Sequence, residues 1–314
     1  MADKTRTSDQ VASPYDRSRF TLHGAGRILD CRPRRENGPA AHVMGVLNVT
    51  PDSFSDGGQY TTVDDALARA STMLDEGAAI IDVGGESTRP AGEVYGEGAA
   101  KVEAAAERDR VVPVIEAIRE RHPEALVSID TYKPTVAEAA LDAGAAIIND
   151  ITGLRIHPEM ADVAAAHDAP LIVMHSLGRP GAMPHQQGYN DVVAAVRAAL
   201  AEALDTAEAA GVTDLVVDPG FGFGKTHAEN LRLLEAVDTF LDLNRPVLVG
   251  ISRKSTIGAA LRSDDAPAPL GERLYGTLGA TAVAVMRGAT LVRTHDVRPT
   301  VEMLRVMGAT LPAE

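Results

Sequence analysis

The chain of 314 residues contains one cysteine, no tryptophan and no long apolar run. The lone Cys31 excludes an intramolecular disulfide and a cysteine metal cluster, which favours a reducing cytoplasm. No stretch approaches the roughly 20 apolar residues of a membrane helix, and the first ten residues lack the apolar core of a secretory signal. We therefore expect a cytoplasmic protein without a membrane partner.

Positive charge is also scarce. The 30 Lys and Arg residues face 44 Asp and Glu residues, which gives a formal net charge of −14. Such an excess of acid argues against non-specific nucleic-acid binding. An anionic ligand would need a local cluster of basic side chains, so the few Arg and Lys residues in loops are informative.

Strand-like apolar runs alternate with Ala-rich helical stretches from residue 42 onward. We predict eight strands, at 43–48, 79–83, 126–130, 146–149, 170–174, 214–218, 246–250 and 289–293. We predict eight helices, at 63–76, 99–121, 134–143, 158–167, 190–210, 226–237, 272–287 and 297–307. Several helices are followed by a glycine that commonly ends a helix, as at Gly77, Gly144 and Gly211.

This alternation indicates parallel βαβ units, and eight units over about 250 residues are typical of a closed (β/α)8 TIM barrel. The alternative is an open doubly wound sheet, which normally carries a glycine-rich dinucleotide turn after its first strand. No such turn follows the first strand here. We predict one α/β barrel domain over residues 42–314, preceded by a flexible N-terminal arm at 1–41 with a short hairpin around Phe20 to Cys31.

Short hydrogen-bond acceptors stand at or near the ends of five predicted strands. A single such residue is more often a helix cap or a turn former than a functional group, and we interpret Asp150 and Asp296 in that way. Five acceptors at corresponding positions favour binding of a polar, donor-rich ligand at the barrel mouth; they are Asn48, Asp82, Asp130, Asn149 and Asp218.

The stretch DPGFGFGK, Asp218 to Lys225, matches neither a phosphate-binding P-loop nor a dinucleotide turn, because its glycines have the wrong spacing. It contains two of the five phenylalanines of the chain. We interpret Phe221 as a core residue and Phe223 as an aromatic face for a planar ligand.

Basic residues follow the seventh and eighth predicted strands, where barrels of this class frequently bind phosphate. One cluster is Arg253 with Lys254, and the other is Arg293 with His295. Both precede predicted helices, so an anion is the expected ligand. A structural ion pair of Lys254 with Asp218 or Asp130 is an open alternative. The remaining histidines show no metal-ligand spacing, and His175 is interpreted as structural.

Eight strings stand at successive strand ends: MGVLNVTPDSFSDGG (44–58), IDVGGESTRP (81–90), SIDT (128–131), IND (148–150), MH (174–175), DPGFGFGK (218–225), SRKS (252–255) and RTHD (293–296). Single strings such as IND carry little weight, but the ordered set is specific. Over residues 42–307 the chain resembles the dihydropteroate synthase family of pterin-binding barrels. One departure is the second loop, which reads TRPAG where family members often have TRPG.

The resemblance implies a transferase of folate biosynthesis that is usually a homodimer and a target of sulfonamides. Such enzymes join 6-hydroxymethyl-7,8-dihydropterin diphosphate to 4-aminobenzoate and release pyrophosphate, assisted by Mg²⁺. The implied site residues are Asp130, Asp218 and Lys254 as catalytic residues, Thr88, Arg89, Asn149, Phe223, Arg253, Ser255, Arg293 and His295 as substrate-binding residues, and Asn48 as the magnesium-side ligand.

Within this set, Asp130, Asn149 and Asp218 resemble the pterin clamp, and Lys254 resembles a lysine beside the pterin ring. Arg293 and His295 resemble the diphosphate binders. Contacts to 4-aminobenzoate are implied for Thr88, Phe223 and Ser255, and the loops that close over it contain Phe54, Asp56 and Arg89. We interpret Asp82 as a buried organiser of the site.

The chain shows no Ser-His pair at suitable spacing and no reactive cysteine. We therefore expect ionisation of the pterin C–O bond before attack by the amine. Two alternatives stay open: a methyltransferase-like barrel that passes a methyl group from methyltetrahydrofolate to a corrinoid, and a non-catalytic pterin-binding paralogue.

Overall fold

The computed structural model describes residues 17–33, 39–49, 62–87, 101–178 and 188–310. Two short strands, β1 Thr21–Gly24 and β2 Arg27–Asp30, form an antiparallel hairpin. Eight parallel strands follow: β3 His42–Asn48, β4 Ile80–Gly84, β5 Leu126–Asp130, β6 Ile147–Asp150, β7 Leu171–Met174, β8 Leu215–Asp218, β9 Leu248–Val249 and β10 Leu291–Thr294.

The parallel strands are hydrogen-bonded in the order β8-β7-β6-β5-β4-β3-β10-β9. A parallel bridge between Val217 and Val247 joins β8 to the residues just before β9, which closes the sheet into a barrel. Because crossover helices cover the outside of such a sheet, its strands are largely buried and rich in apolar residues, with polar residues toward their carboxyl ends. The predicted (β/α)8 barrel is confirmed.

Ten α-helices surround the barrel in the described part of the chain: α1 Val63–Glu76, α2 Ala104–Arg121, α3 Pro134–Asp142, α4 Met160–Ala166, α5 Val192–Ala210, α6 His227–Glu235, α7 Val237–Leu241, α8 Ser255–Leu261, α9 Leu274–Met286 and α10 Val297–Thr310. Gly77 and Gly211 end α1 and α5 in the left-handed conformation, with φ of 101° and 99°. No helix among the described residues is long and apolar enough to cross a bilayer.

Two features of the helical layer differ from the prediction. The stretch predicted as one helix at 226–237 is two helices that meet at Ala236. Helix α8 was not predicted, because its seven residues include Gly258 and are too few for a helical period to be recognised. It is an extra turn of structure between the seventh barrel strand and α9.

The hairpin covers the amino-terminal end of the barrel. Its Leu22, Leu29 and Cys31 are buried in one apolar cluster with one residue from each barrel strand, namely Met44, Ile80, Leu126, Ile147, Ile172, Val216, Leu248 and Leu291. The Cys31 amide also donates to the Phe20 carbonyl at 2.7 Å. The predicted hairpin is confirmed, but the description of residues 1–41 as a flexible arm is wrong for residues 17–33, because their apolar side chains complete the barrel floor.

Strand periodicity connects this floor to the opposite, carboxyl end. Side chains two or four positions after a floor residue share its face of the sheet. Asp82 and Arg293 stand two positions after Ile80 and Leu291, and Asp130 stands four after Leu126. The strands that bury apolar groups at the floor therefore deliver polar groups into the mouth.

Candidate active site

Two carboxylates, one guanidinium and one amide from four strands meet inside the barrel mouth. Arg293 of β10 donates from Nε to Asp82 Oδ2 of β4 and from Nη2 to Asp130 Oδ2 of β5, both at 2.6 Å. Asn149 of β6 donates from Nδ2 to Asp82 Oδ2 at 3.2 Å. Asp82 is fully buried, as predicted, and its Oδ2 accepts from both Arg293 and Asn149. Its other oxygen, Oδ1, has no hydrogen-bond partner.

The electrostatics of the cluster are set by burial. Burial raises the pKa of Asp130 to about 7, against the opposing effect of Arg293. Burial also raises the pKa of Asp218, and the cation of Lys254 opposes this. Burial lowers the pKa of Arg293, but the carboxylates of Asp82 and Asp130 outweigh it and raise that pKa above its ordinary value. The acceptors are thus poorly solvated and gain from any ligand that donates to them.

Lys254 lies beside this cluster, at the residue before α8. Its ammonium donates to the Phe221 carbonyl and lies 4.2 Å from the centre of the Phe223 ring. Burial lowers the pKa of Lys254 to about 7, and the facing Asp218 opposes this. Gly222 leaves room for this side chain, since a Cβ there would lie 2.7 Å from Lys254 Cδ. Phe221 is buried in the core, as predicted.

The second basic loop lies next to it. His295 Nδ1 is 3.0 Å from Ser252 Oγ, and the His295 amide donates to the same oxygen at 3.2 Å. Burial, together with Arg293 and Arg253, lowers the pKa of His295 to about 3. The imidazole is therefore neutral at physiological pH and can offer an anion a hydrogen bond but no charge.

Arg253 points toward α10. Its Nε and Nη2 bind the two carboxylate oxygens of Asp296 at 2.9 and 2.5 Å, and its backbone is left-handed with φ of 58°. Asp296 directly precedes α10, which is the position of a cap, and the Thr300 amide donates to its backbone carbonyl at 3.2 Å, while its carboxylate pairs with this guanidinium. Asp150 accepts from the amides of Thr152 and Leu154, which confirms it as a turn former. A substrate contact of Arg253 stays a prediction.

Asn48 is half-buried at the end of β3. Asn48 and Asp130 both pack against Gly84 of β4. A Cβ added to Gly84 would lie 3.5 Å from Asn48 Oδ1 and 3.5 Å from the Asp130 Cβ. Within the described residues, no group of three or more His, Cys, Asp or Glu side chains could hold a metal ion. A single amide oxygen nevertheless fits Mg²⁺, which commonly takes one or two protein ligands and completes its shell with phosphate and water.

The remaining predicted residues are distributed as follows. Ser255 is half-buried as the first residue of α8, next to Lys254. Thr88, Arg89, Phe54 and Asp56 lie outside the described residues. His175 is buried against the Tyr189 ring, and burial with the cation of Lys225 lowers its pKa to about 3, which agrees with its structural interpretation.

Two buried lysines were missed by sequence reasoning. Lys225 donates to three backbone carbonyls of the glycine-rich loop and the neighbouring strand end. Lys133 binds the carboxylates of Glu86 and Glu107 and donates to the Val102 carbonyl at 2.6 Å. Lys225 ends the string DPGFGFGK, whose glycine spacing gives no sign that the lysine binds the loop's own carbonyls.

Comparison with known proteins decides the family. The model of a family described as pterin binding enzyme matches residues 44–295, which is most of the chain. The dihydropteroate synthase of Escherichia coli (strain K12) is 46% identical over 275 residues, which cover 87% of this chain and 93% of the relative. The chain belongs to the dihydropteroate synthase family.

Solved members of the dihydropteroate synthase family have the same fold. The Xanthomonas albilineans enzyme, solved with 4-aminobenzoic acid, is 43% identical and superposes with a TM-score of 0.79 over 93% of this chain and 99% of that one. The Yersinia pestis enzyme, solved as a sulfonamide drug complex, is 41% identical with a TM-score of 0.82 over 92% and 98%. The expected relationship and the expected barrel are both confirmed.

Proposed function

We propose that this chain condenses 6-hydroxymethyl-7,8-dihydropterin diphosphate with 4-aminobenzoate, giving 7,8-dihydropteroate and pyrophosphate. The observation that carries the proposal is the grouping of buried acceptors with cations in one barrel mouth. Asp130, Asn149 and Asp218 supply acceptors, and Lys254 and Arg293 supply positive charge beside them. A flat, donor-rich heterocycle that carries a diphosphate matches both halves of this arrangement.

The pterin half would bind at the acceptors. A pterin ring presents amide and amino N–H groups along one edge, and carboxylate and amide oxygens accept them. Asn149 directs its Nδ2 to Asp82, which leaves Oδ1 to accept from the ligand. Donation from the pterin would favour the ionised form of Asp130, whose pKa burial raises in the free enzyme.

The diphosphate half would bind at the rim formed by Arg293, His295 and Asn48. Arg293 uses Nε and Nη2 for the two carboxylates, so Nη1 is the group that we propose donates to the diphosphate. Mg²⁺, held by Asn48 and by diphosphate oxygens, would supply Lewis-acid stabilisation of the leaving group. The aminobenzoate would stack on Phe223, beside Ser255.

The structure shows one Ser-His pair that the sequence did not predict, with 3.0 Å between Ser252 Oγ and His295 Nδ1. We nevertheless propose that the C–O bond ionises before the amine attacks, since the buried carboxyl groups of Asp130 and Asp218 can stabilise a cation. The bonding electron pair leaves with pyrophosphate, and the carboxylates of Asp130 and Asp218 stabilise the pterin-methyl cation. The amine nitrogen then forms the new C–N bond and releases a proton. The alternative is a covalent enzyme–pterin intermediate. The enzyme can be incubated with the pterin diphosphate and Mg²⁺ but without amine and then analysed by mass spectrometry. A covalent enzyme–pterin adduct in the spectrum would contradict ionisation.

Turnover with both substrates tests the function. The purified chain should release pyrophosphate in proportion to dihydropteroate, measured by chromatography, only when both substrates and Mg²⁺ are present. A sulfonamide should compete with 4-aminobenzoate. Binding of the pterin without turnover would favour a non-catalytic paralogue. Methyl transfer from methyltetrahydrofolate to a corrinoid, without pyrophosphate release, would favour the methyltransferase alternative.

We also propose a homodimer that forms through α8 and α9. Helix α9 is apolar on its outer face, where Tyr275, Val283 and Met286 are exposed, and Leu261 is exposed on the adjoining α8. The outer face of a helix in a monomer is normally polar, and a contiguous apolar patch marks a contact surface. Sedimentation should show a dimer that Val283→Glu converts to a monomer; a wild-type chain that sediments as a monomer at micromolar concentration contradicts the proposal.

The cytoplasmic location stays a prediction.

A further inference from the structure

Lys225 occupies an unusual position for a lysine. The residue is 5% exposed, and its ammonium donates to the carbonyls of Gly220 at 2.8 Å, Phe223 at 3.1 Å and His175 at 3.2 Å. An ammonium has three donors, and all three are used on backbone oxygens. The side chain therefore acts as a centre around which the glycine-rich loop is folded.

The loop has the shape that this arrangement requires. Gly220, Gly222 and Gly224 are left-handed, with φ of 71°, 83° and 67°, a conformation that glycine adopts readily, and the carbonyls of Gly220 and Phe223 accept from the ammonium. A Cβ at Gly220 would come within 1.8 Å of the His175 carbonyl oxygen. Besides the ammonium, the loop is held by the bond from the Phe223 amide to the Gly220 carbonyl at 3.1 Å and by Asn230, which accepts from the Gly222 amide at 2.7 Å.

The loop carries a residue of the proposed site. The Phe223 ring faces the ammonium of Lys254, and Lys254 also donates to the Phe221 carbonyl. The two lysines therefore grip one short loop through different carbonyls. Lys254 lies on the side of the proposed substrate site. Lys225 donates to the backbone carbonyl of Phe223, the residue whose ring faces Lys254.

We propose that Lys225 is a positioning residue for the aminobenzoate subsite, because it fixes the backbone at Phe223 and so the plane against which the aromatic amine binds. This inference rests on the proposed function, in which Phe223 contacts 4-aminobenzoate. Two of the three pterin acceptors, Asp130 and Asn149, stand on other strands, while the third, Asp218, begins the loop and accepts from the Gly220 amide at 2.7 Å. Loss of the Lys225 ammonium should therefore weaken the binding of 4-aminobenzoate much more than the binding of the pterin diphosphate.

The test compares the kinetics of Lys225→Met, which keeps the length of the side chain and removes its donors, with those of the wild type. We expect KM for 4-aminobenzoate to rise at least tenfold, while Kd for the pterin diphosphate, measured by calorimetry, changes less than threefold. Lys225→Gln, which retains an amide donor, should fold if the methionine variant does not and should give a smaller rise in the same KM. Arg232→Met, which removes an exposed cation seven residues further on, serves as the control.

A second arm needs no turnover and so separates this inference from the proposed function. The chain has no tryptophan, so Phe223→Trp introduces a single emitter into the loop. Its fluorescence anisotropy should decay slowly with Lys225 present and gain a fast nanosecond component with Lys225→Met or Lys225→Gln. Unchanged anisotropy would overturn the positioning role of Lys225. An equal rise of KM for 4-aminobenzoate and of Kd for the pterin diphosphate would overturn it as well. A wild-type chain without turnover refutes the proposed function alone.

Discussion

Replacement of Asp130 by asparagine is expected to make the stability of the unliganded protein less dependent on pH and to abolish pterin binding. Burial raises the pKa of this carboxyl from 3.8 to about 7. Between these values the folded state retains a proton that the unfolded chain has lost. Stability therefore falls as the pH rises through this window, and the loss is complete above the folded pKa.

The magnitude follows from the two pKa values of Asp130. Between about pH 5 and about pH 8, ionisation of Asp130 should remove about 2–3 kcal/mol from the free energy of unfolding, since each pKa unit corresponds to about 1.4 kcal/mol. Asparagine does not titrate, so this loss is absent from the variant. The stability of Asp130→Asn relative to the wild type should therefore shift in favour of the variant by about that amount.

Urea unfolding followed by circular dichroism at both pH values measures this shift. Asp142→Asn, on the exposed face of α3, is the matched control and should parallel the wild type. Calorimetry with the pterin diphosphate completes the test, and the Asp130 variant should show no binding. Equal pH dependence in the Asp130 variant and the wild type would refute the reasoning that burial holds this proton.

Three further predictions concern other parts of the molecule. Lys254→Ala should keep its melting temperature within a few degrees yet lose at least tenfold in pterin affinity by calorimetry; undiminished affinity contradicts its placement beside the ring. Asn48→Ala should raise the Mg²⁺ concentration needed for half-maximal turnover, and an unchanged requirement argues against its role as a ligand. Leu22→Ala should cost about 2–5 kcal/mol in urea unfolding without a change in either KM, because it lies at the barrel floor; a neutral effect on stability would mean that the hairpin is not part of the core.

Much of the barrel could be predicted because strands and helices impose different periods on the sequence. The predicted strands end within a residue of the observed ones in all eight units, and Asn48, Asp130 and Asp218 are the last residues of their strands. A common strand register also placed the polar residues at one mouth. These are local properties, which a short window of sequence contains.

Contacts between distant residues could not be predicted in the same way. Lys133 binds Glu86 and Glu107, which stand 47 and 26 residues before it, and no periodic pattern relates them. The direction of Arg253 depends on a left-handed backbone that the string SRKS does not specify. The contacts of Lys225 could not be predicted because its partners are backbone carbonyl oxygens, which every residue has.

The buried cysteine at the barrel floor can report on local opening of the protein. The only thiol, on Cys31, is fully buried where the hairpin meets the eight strands. A thiol reagent reaches that sulfur only when this end of the protein opens, so the labelling rate under rapid reclosure gives the free energy of opening. If that energy is lower than the energy of global unfolding, the base can detach while the mouth stays assembled; if the two are equal, hairpin and barrel separate only as one cooperative unit.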